Sequence, residues 1–381
     1  MDIKTFLILG GYGNAGRVLA QLLLQETNVR LVLAGRNLEK AKAAADQFNN
    51  LFEGNRVTGV FADASDLGNL RQTFKGIDFV VVASSTAKYT KEIARTALEA
   101  GCDYIDIHFG PKIYATLYSL VEAIKNADRC FITGGGFHPG LPAALIRHAG
   151  QYFDSMEKAI VGGVMNINFK EYEFSESTKI EFVEEVIDFL PFIYKNGEWR
   201  KINIMSTKDY VAMDFGSEFG KRQCAPMFFE ELREIPLIFP TLNQTGFYIA
   251  GFNWFTDYFV FPFIFISLKL FSKILIKPMS QLMQWSLSTF SKPPYGLVVK
   301  LEAIGEKNGK LKNIEIQLSH KDGYYFTAIP VVACLLQYLD GSIRKPGLWL
   351  QANIVEPNRF MQDMKRMGID VKVQDKNGNG R

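Results

Sequence analysis

The chain has 381 residues, 48% of them hydrophobic, with 43 basic and 40 acidic side chains and a formal net charge of +3. That length fits two domains. The apolar content excludes a disordered chain, and the near balance of charge leaves no global attraction to nucleic acid. Four separated cysteines, Cys102, Cys130, Cys224 and Cys334, make neither a disulfide framework nor a zinc spacing, so reduced thiols and a cytoplasmic location are expected.

The start, MDIKTFLILGG, is too short in its apolar run for a signal peptide. Thr5–Gly10 (TFLILG) is a continuous apolar run, the mark of a strand covered on both faces. Further strands are predicted over Val29–Ala34, Val57–Phe61, Asp78–Ala83, Asp103–Ile107 and Cys130–Thr133. Between them, helices are predicted over Asn14–Gln25, Leu38–Phe48 (capped by Asn37), Asp66–Phe74, Lys88–Ala100 and Ile113–Asn126. This alternation predicts an α/β fold, a doubly wound parallel sheet over residues 1–140.

Past Gly140 the pattern changes to a second α+β domain, 141–323, with a largely antiparallel sheet for substrate contacts and dimerisation. Its predicted elements are a helix over Leu141–Gly150 and strands at Ala159–Asn168, Val211–Phe215, Val298–Ile304 and Ile314–Ser319. Asn196-Gly197 marks a hairpin turn inside Tyr194–Trp199. Residues 324–355, with a helix at Phe326–Tyr338, are expected to return to the first domain. The polar stretch 374–381 (QDKNGNGR) is expected to be a flexible tail.

The sharpest local signal is Gly11-Tyr12-Gly13-Asn14-Ala15-Gly16, which matches GxGxxG, follows a strand and opens a helix. Gly11 allows the tight turn, Gly13 the approach of a pyrophosphate and Gly16 the close packing of helix on strand, as in Rossmann dinucleotide sites. The helix N-terminus offers free N–H groups to phosphate. At the end of the second strand stands Arg36-Asn37, where an NAD site places an acid. A guanidinium pairs with a 2′-phosphate, so NADP is expected over NAD. Asp63, after the third strand, is a candidate for the adenine amino group, with a helix cap as the other reading. Ala83, Ser84 and Ser85 end the fourth strand, where a cofactor-lining loop belongs.

Four histidines occur. His108 follows the fifth strand and His138 the sixth, and ligands of open α/β sheets bind beyond these carboxyl ends. His138, His108 and Asp106 are therefore the candidates to handle the proton that accompanies hydride transfer. His148 and His320 have no such placement. No acidic or histidine cluster has metal spacing, so no metal is expected.

From Pro240 to Leu268 there is one charged residue, Asp257, among a run of Phe, Trp and Tyr. The uncharged core Tyr258–Leu268 is shorter than a spanning helix and is interrupted by Pro262. Lys269, Lys273 and Lys277 follow at helical spacing. Three readings of 240–277 stand: a core or dimer interface, a peripheral membrane or lipid contact with snorkelling lysines, or an apolar ligand pocket.

As a set, LILGGYGNAGR, LAGRN, FADASDL, ALEAGCDYIDI (Ala97–Ile107) and GGGFHPGLPAAL (Gly134–Leu145) resemble the saccharopine dehydrogenase family of NAD(P)-binding oxidoreductases over about 145 residues. Where the better-known amino-acid members read Asp-Pro-Gly, this chain has His138-Pro139-Gly140. The resemblance implies an NAD(P)-binding oxidoreductase fold. With Arg36 and the aromatic second domain, the expected function is NADP-preferring hydride transfer to a C=N, C=O or conjugated C=C bond of a small-molecule substrate more apolar than an amino acid, in a homodimer. The alternative is a catalytically silent NADP-binding protein docked on a membrane, lipid surface or protein partner through residues 247–277.

Overall fold

The computed structural model describes residues 3–171, 174–187, 190–203 and 206–377, without the side chains of 185–187, 269, 272 and 273. Lys269 and Lys273 of the lysine stripe, and residues 378–381 of the expected tail, therefore lie outside the described part. The chain divides into two compact units, one of Met1–Ala144 with Tyr324–Gly368 and one of Leu145–Gly323 with Ile369–Arg381.

In chain order the first unit begins β1 (Thr5–Leu9), α1 (Asn14–Glu26), β2 (Arg30–Gly35), α2 (Leu38–Leu51), β3 (Val57–Phe61), α3 (Leu67–Thr73) and β4 (Phe79–Val82). It continues through α4 (Thr90–Glu99), β5 (Asp103–Asp106), α5 (Pro111–Tyr118), α6 (Val121–Asn126) and β6 (Cys130–Thr133), and α7 (Pro142–Ala149) begins in it and ends in the second unit. Next come β7 (Ser155–Asn166), α8 (Glu176–Ile187), β8 (Phe192–Lys195), β9 (Glu198–Lys201), β10 (Val211–Asp214), β11 (Lys221–Met227) and α9 (Ile235–Ile238). They are followed by β12 (Gln244–Ala250), α10 (Phe261–Phe271), α11 (Ile276–Phe290), β13 (Gly296–Lys307) and β14 (Lys310–His320). The chain ends with α12 (Gly323–Leu339), β15 (Gly347–Leu350), α13 (Gln351–Ile354), α14 (Pro357–Arg366) and β16 (Asp370–Asp375).

The first sheet runs β15-β6-β5-β4-β1-β2-β3, and every pairing in it is parallel. Ile8 of β1 lies between Leu33 and Val81. The apolar runs that predicted these strands are buried on both faces: Phe6, Leu7 and Ile8, and Phe79 through Val82, are fully covered. The order turns back beside β1, between β4 and β2. The carboxyl ends of the strands at that reversal are where ligands of such sheets bind.

The second sheet runs β10-β11-β12-β7-β13-β14-β16, with β8 pairing β12 and β9. It is antiparallel except for β12 against β7. Two hairpin turns are set by Asn-Gly pairs in the left-handed region, Asn196-Gly197 and Asn308-Gly309. Lys300 is buried in this sheet and satisfied by Glu302 and Glu315, each at 3.1 Å, and by the Asp214 carbonyl.

Some predicted elements differ. The helix expected over Ile113–Asn126 is two helices, α5 and α6. At the break, the Ser119 hydroxyl donates back to the Thr116 carbonyl at 2.6 Å, a local bond that competes with continuing the helix. Of the tail expected from 374, Gln374 and Asp375 belong to β16, paired with Glu315 and Ile314. Strands β11, β12, β15 and β16 were not predicted. Among the described residues no helix is long and apolar enough to cross a membrane.

Candidate active site

After β1 the chain turns through Gly10. The N–H groups of Gly10 and Gly11 both reach the Ala34 carbonyl, at 2.8 and 3.2 Å, and this holds the loop on the end of β2. A Cβ at Gly11 would stand 2.9 Å from the Leu33 Cα, and one at Gly16 would stand 2.2 Å from the Gly10 oxygen. Both are closer than real Cβ atoms come, so glycine is required. Beside Gly13 the one near atom is the Gly10 oxygen, at 3.1 Å, on the loop's own side.

Helix α1 starts here with no side-chain cap and no acid in its first turn. Its first N–H groups and the positive end of its dipole are thus left for an anion. A pyrophosphate fits this cradle. The Asn14 side-chain amide donates to the Tyr324 hydroxyl at 2.9 Å, so the start of α12 joins the rim of the loop.

Tyr12 spans from this loop to the end of β2. Its hydroxyl accepts the Asn37 backbone N–H at 3.0 Å, and its ring lies over Gly35, where a Cβ would stand 2.5 Å from the ring edge. The Asn37 side chain is already used, capping α2 through the Lys40 N–H at 2.9 Å. Arg36 stands exposed between them.

Asp63 accepts the Ser65 N–H and hydroxyl at 2.9 and 2.8 Å. These bonds, with the nearby charges of Arg36 and Lys88, hold its carboxyl below the usual range. The cap of α3 is Asp66, through the Asn69 N–H at 3.0 Å, and not Asp63. Arg36 and Lys88 both lie within electrostatic reach of Asp63.

The ends of β4, β5 and β6 carry the remaining candidates. The Ala83 carbonyl lies close against Gly10, 2.7 Å from where its Cβ would be. The Ser84 hydroxyl is 3.0 Å from that of Thr86, and Ser85 is half-buried. His108 Nε2 lies 2.8 Å from the Ser84 carbonyl. A carbonyl only accepts, so Nε2 carries the proton and a neutral ring presents Nδ1 as an acceptor. Nδ1 is buried without a partner.

Asp106 is wholly buried. Its Oδ1 accepts the Thr133 hydroxyl at 3.0 Å and the His108 N–H at 3.1 Å, with the Gly134 N–H at 3.5 Å. Oδ2 and the Tyr104 hydroxyl are both buried, and the Tyr104 hydroxyl hydrogen-bonds the Asp106 carboxylate. Burial raises the Asp106 pKa, against the opposing pull of His108 and Thr133. Burial first, and then the charge of Asp106, raise that of Tyr104. Asp106 and His108 are thus brought together, with Tyr104 beside them, and His108 Nδ1 is left there without a partner.

His138 lies on the separate loop Gly134–Gly140. Its ring stacks on Phe137 at 4.0 Å between centroids, and Phe137 stacks on Phe326 of α12 at 4.9 Å. The ring keeps some solvent exposure, but the crowding around it pushes its pKa down to about 4. It is therefore neutral at pH 7.

The loop is fastened by a residue that sequence reading missed. Gln351, at the start of α13, donates to the Gly136 and Gly140 carbonyls at 3.0 and 3.1 Å and accepts the Gly136 N–H at 3.4 Å. A buried glutamine more than 200 positions away has no local signal. Elsewhere, His320 Nδ1 accepts the Asp322 N–H at 2.9 Å and His148 meets Gln151. Among the described residues no group of His, Cys, Asp and Glu could hold a metal.

Residues 6–135 match the family profile described as the saccharopine dehydrogenase NADP binding domain. No curated protein matches the chain. Among solved structures, the chain resembles an apo saccharopine dehydrogenase (L-Glu forming) from Saccharomyces cerevisiae. Identity is 14%, the TM-score is 0.67, and 98% of this chain and 99% of that one are covered. A DAP dehydrogenase from C. glutamicum, in complex with DAP, aligns at 12% identity and a TM-score of 0.49 over 96% of this chain and 99% of that one.

Proposed function

From an N-terminal domain of the saccharopine dehydrogenase NADP-binding family, at residues 6–135, we propose that the protein is an NADP(H)-dependent oxidoreductase acting on a C=N, C=O or conjugated C=C bond of a small molecule. The observation that carries this reading is the cradle of Gly11, Gly13 and Gly16 closing on the uncapped start of α1. There the pyrophosphate is held by backbone N–H groups. Arg36 meets the 2′-phosphate as a charge-assisted donor. Asp63 faces the adenine end, and Ala83, Ser84 and Ser85 line the cofactor beyond β4.

When bound, the nicotinamide supplies or accepts the hydride. The chain's own part is to orient the reactants, exclude water and manage one proton. His108 is the favoured proton carrier. Its Nε2–H is anchored on Ser84, and its Nδ1 is the buried nitrogen free to take or give the proton. Asp106 fixes the His108 backbone and stabilises the imidazolium when it forms. His138, neutral near pH 7, lines the site as a hydrogen-bonding and stacking group.

The test is consumption of NADPH by the purified protein across a panel of carbonyl, imine and enoyl compounds, apolar ones included. Turnover with any of them supports the reading. Saturable NADPH binding with no turnover across the panel favours the silent binding protein instead.

A further inference from the structure

The aromatic segment follows an unusual rule of burial. Helix α10 with its flanking turns carries large apolar residues on both its inner and its outer face. Its inner face, Val260, Ile264 and Leu268, packs with Met279, Met283 and Leu287 in a small core of the second unit. Its outer face repeats Phe259, Phe263, Ile266, Leu270 and Ile274, at intervals of four, three, four and four, which is one stripe of a helix.

That stripe is in the open. Phe259 is 58% exposed, Leu270 70% and Ile274 85%. A helix whose outer face meets only water carries polar residues there, and contiguous exposed apolar surface marks a contact site. The fold does not need this face, because the inner side already makes the core.

The chemistry of the surroundings selects the occupant. Between Phe247 and Lys292 the charged residues are four lysines (269, 273, 277 and 292) and one acid, Asp257. The Asp257 carboxylate is turned inward to accept the Phe252 N–H at 3.0 Å. Lys277 pairs with Glu176 at 2.6 Å, and both side chains are more than half exposed, so that bond exchanges readily with another anion.

Within 247–292 the sequence supplies four lysines against one inward-turned acid, so two copies meeting through this segment would find little opposite charge in it, Glu176 lying outside it. An anionic lipid surface offers the opposite charge and an apolar layer beneath it. At the end of the stripe, Trp254 and Trp285 are held by Phe255 and Phe290 and are themselves exposed. Tryptophan is the side chain enriched at the headgroup boundary. Helix α10 is too short to cross a bilayer.

We propose that the outer face of α10 and its flanking turns is a docking surface for an anionic lipid bilayer, lying in the interface plane with its apolar stripe among the acyl chains. This goes beyond the proposed redox reading and does not depend on it.

The experiment is co-sedimentation of the full chain with vesicles of phosphatidylglycerol and phosphatidylcholine in equal parts, and with pure phosphatidylcholine vesicles, alongside tryptophan emission. Binding to the anionic vesicles is expected, weakened by salt, with a blue shift of emission and much less binding to the neutral ones. The exposed-face variant Ile266→Asp/Leu270→Asp should bind about tenfold more weakly or worse, while its thermal unfolding and NADPH titration match the unaltered protein. No sedimentation with anionic vesicles overturns the proposal. So does equal, salt-insensitive binding to neutral vesicles. So does a concentration-dependent dimer that the double variant abolishes while the vesicles stay bare.

Discussion

The Tyr12 hydroxyl accepts the backbone N–H of Asn37 at 3.0 Å, which ties the glycine loop to the turn that presents Arg36. The two halves of the proposed adenosine-phosphate site are therefore linked, with the Tyr12 ring wedged over Gly35.

Gly35→Ala should break that link. Its Cβ would stand 2.5 Å from the Tyr12 ring, so the ring must leave and the bond to Asn37 is lost with it. NADPH affinity should fall by roughly tenfold or more. Tyr12→Phe keeps the ring and loses only one hydrogen bond, about 1 kcal/mol, and should cost about fivefold. Unchanged affinity in Gly35→Ala, measured by fluorescence titration, would show that the two segments act independently.

Gln351→Leu tests the staple on the Gly134–Gly140 loop. It removes two donated bonds and one accepted bond from buried backbone groups. A loss of about 2–4 kcal/mol is expected, seen as a fall of the melting temperature by several degrees. A melting temperature equal to wild type would mean that the loop holds its shape unaided.

The pH dependence of stability follows from signs. The His138 pKa is lowered from 6.5 to about 4 in the folded chain. Between those values the unfolded chain takes a proton that the folded one refuses, so stability falls as pH drops through that window. Asp257, raised by burial to about 6, acts in the opposite direction: its folded form gains on acidification. The difference between wild type and His138→Gln isolates the first effect. The variant should lose less stability than wild type from pH 6.5 to 4. An identical pH profile would place His138 in water in both states.

His108→Asn should leave NADPH affinity near its wild-type value and lower kcat by about a hundredfold or more, the usual weight of a general acid or base. It should also remove one limb of the pH–rate profile. A profile of unchanged shape with a merely lower maximum would make His108 a positioning residue.

The first sheet was legible because its strands are covered on both faces, and Phe6–Leu9 or Phe79–Val82 then appear as unbroken apolar runs. The glycine loop was legible because its spacing is itself the geometry. The aromatic run hid β12: Phe247 and Tyr248 sit in the sheet while Phe259 and Phe263 stand in the open, and composition is the same on both sides of that change. The parallel pairing of β12 with β7, the Gln351 staple and the Tyr12–Asn37 bond join distant positions, so no local pattern encodes them.

The most direct measurement is a pair of fluorescence titrations, NADPH and NADH, on the unaltered protein and on Arg36→Ala. The unaltered protein should bind NADPH more tightly than NADH by about ten- to a hundredfold, the weight of a guanidinium–phosphate contact, and Arg36→Ala should bind the two almost equally. Equal affinities in the unaltered protein would contradict the assignment of Arg36, and binding of neither would contradict the cofactor site itself.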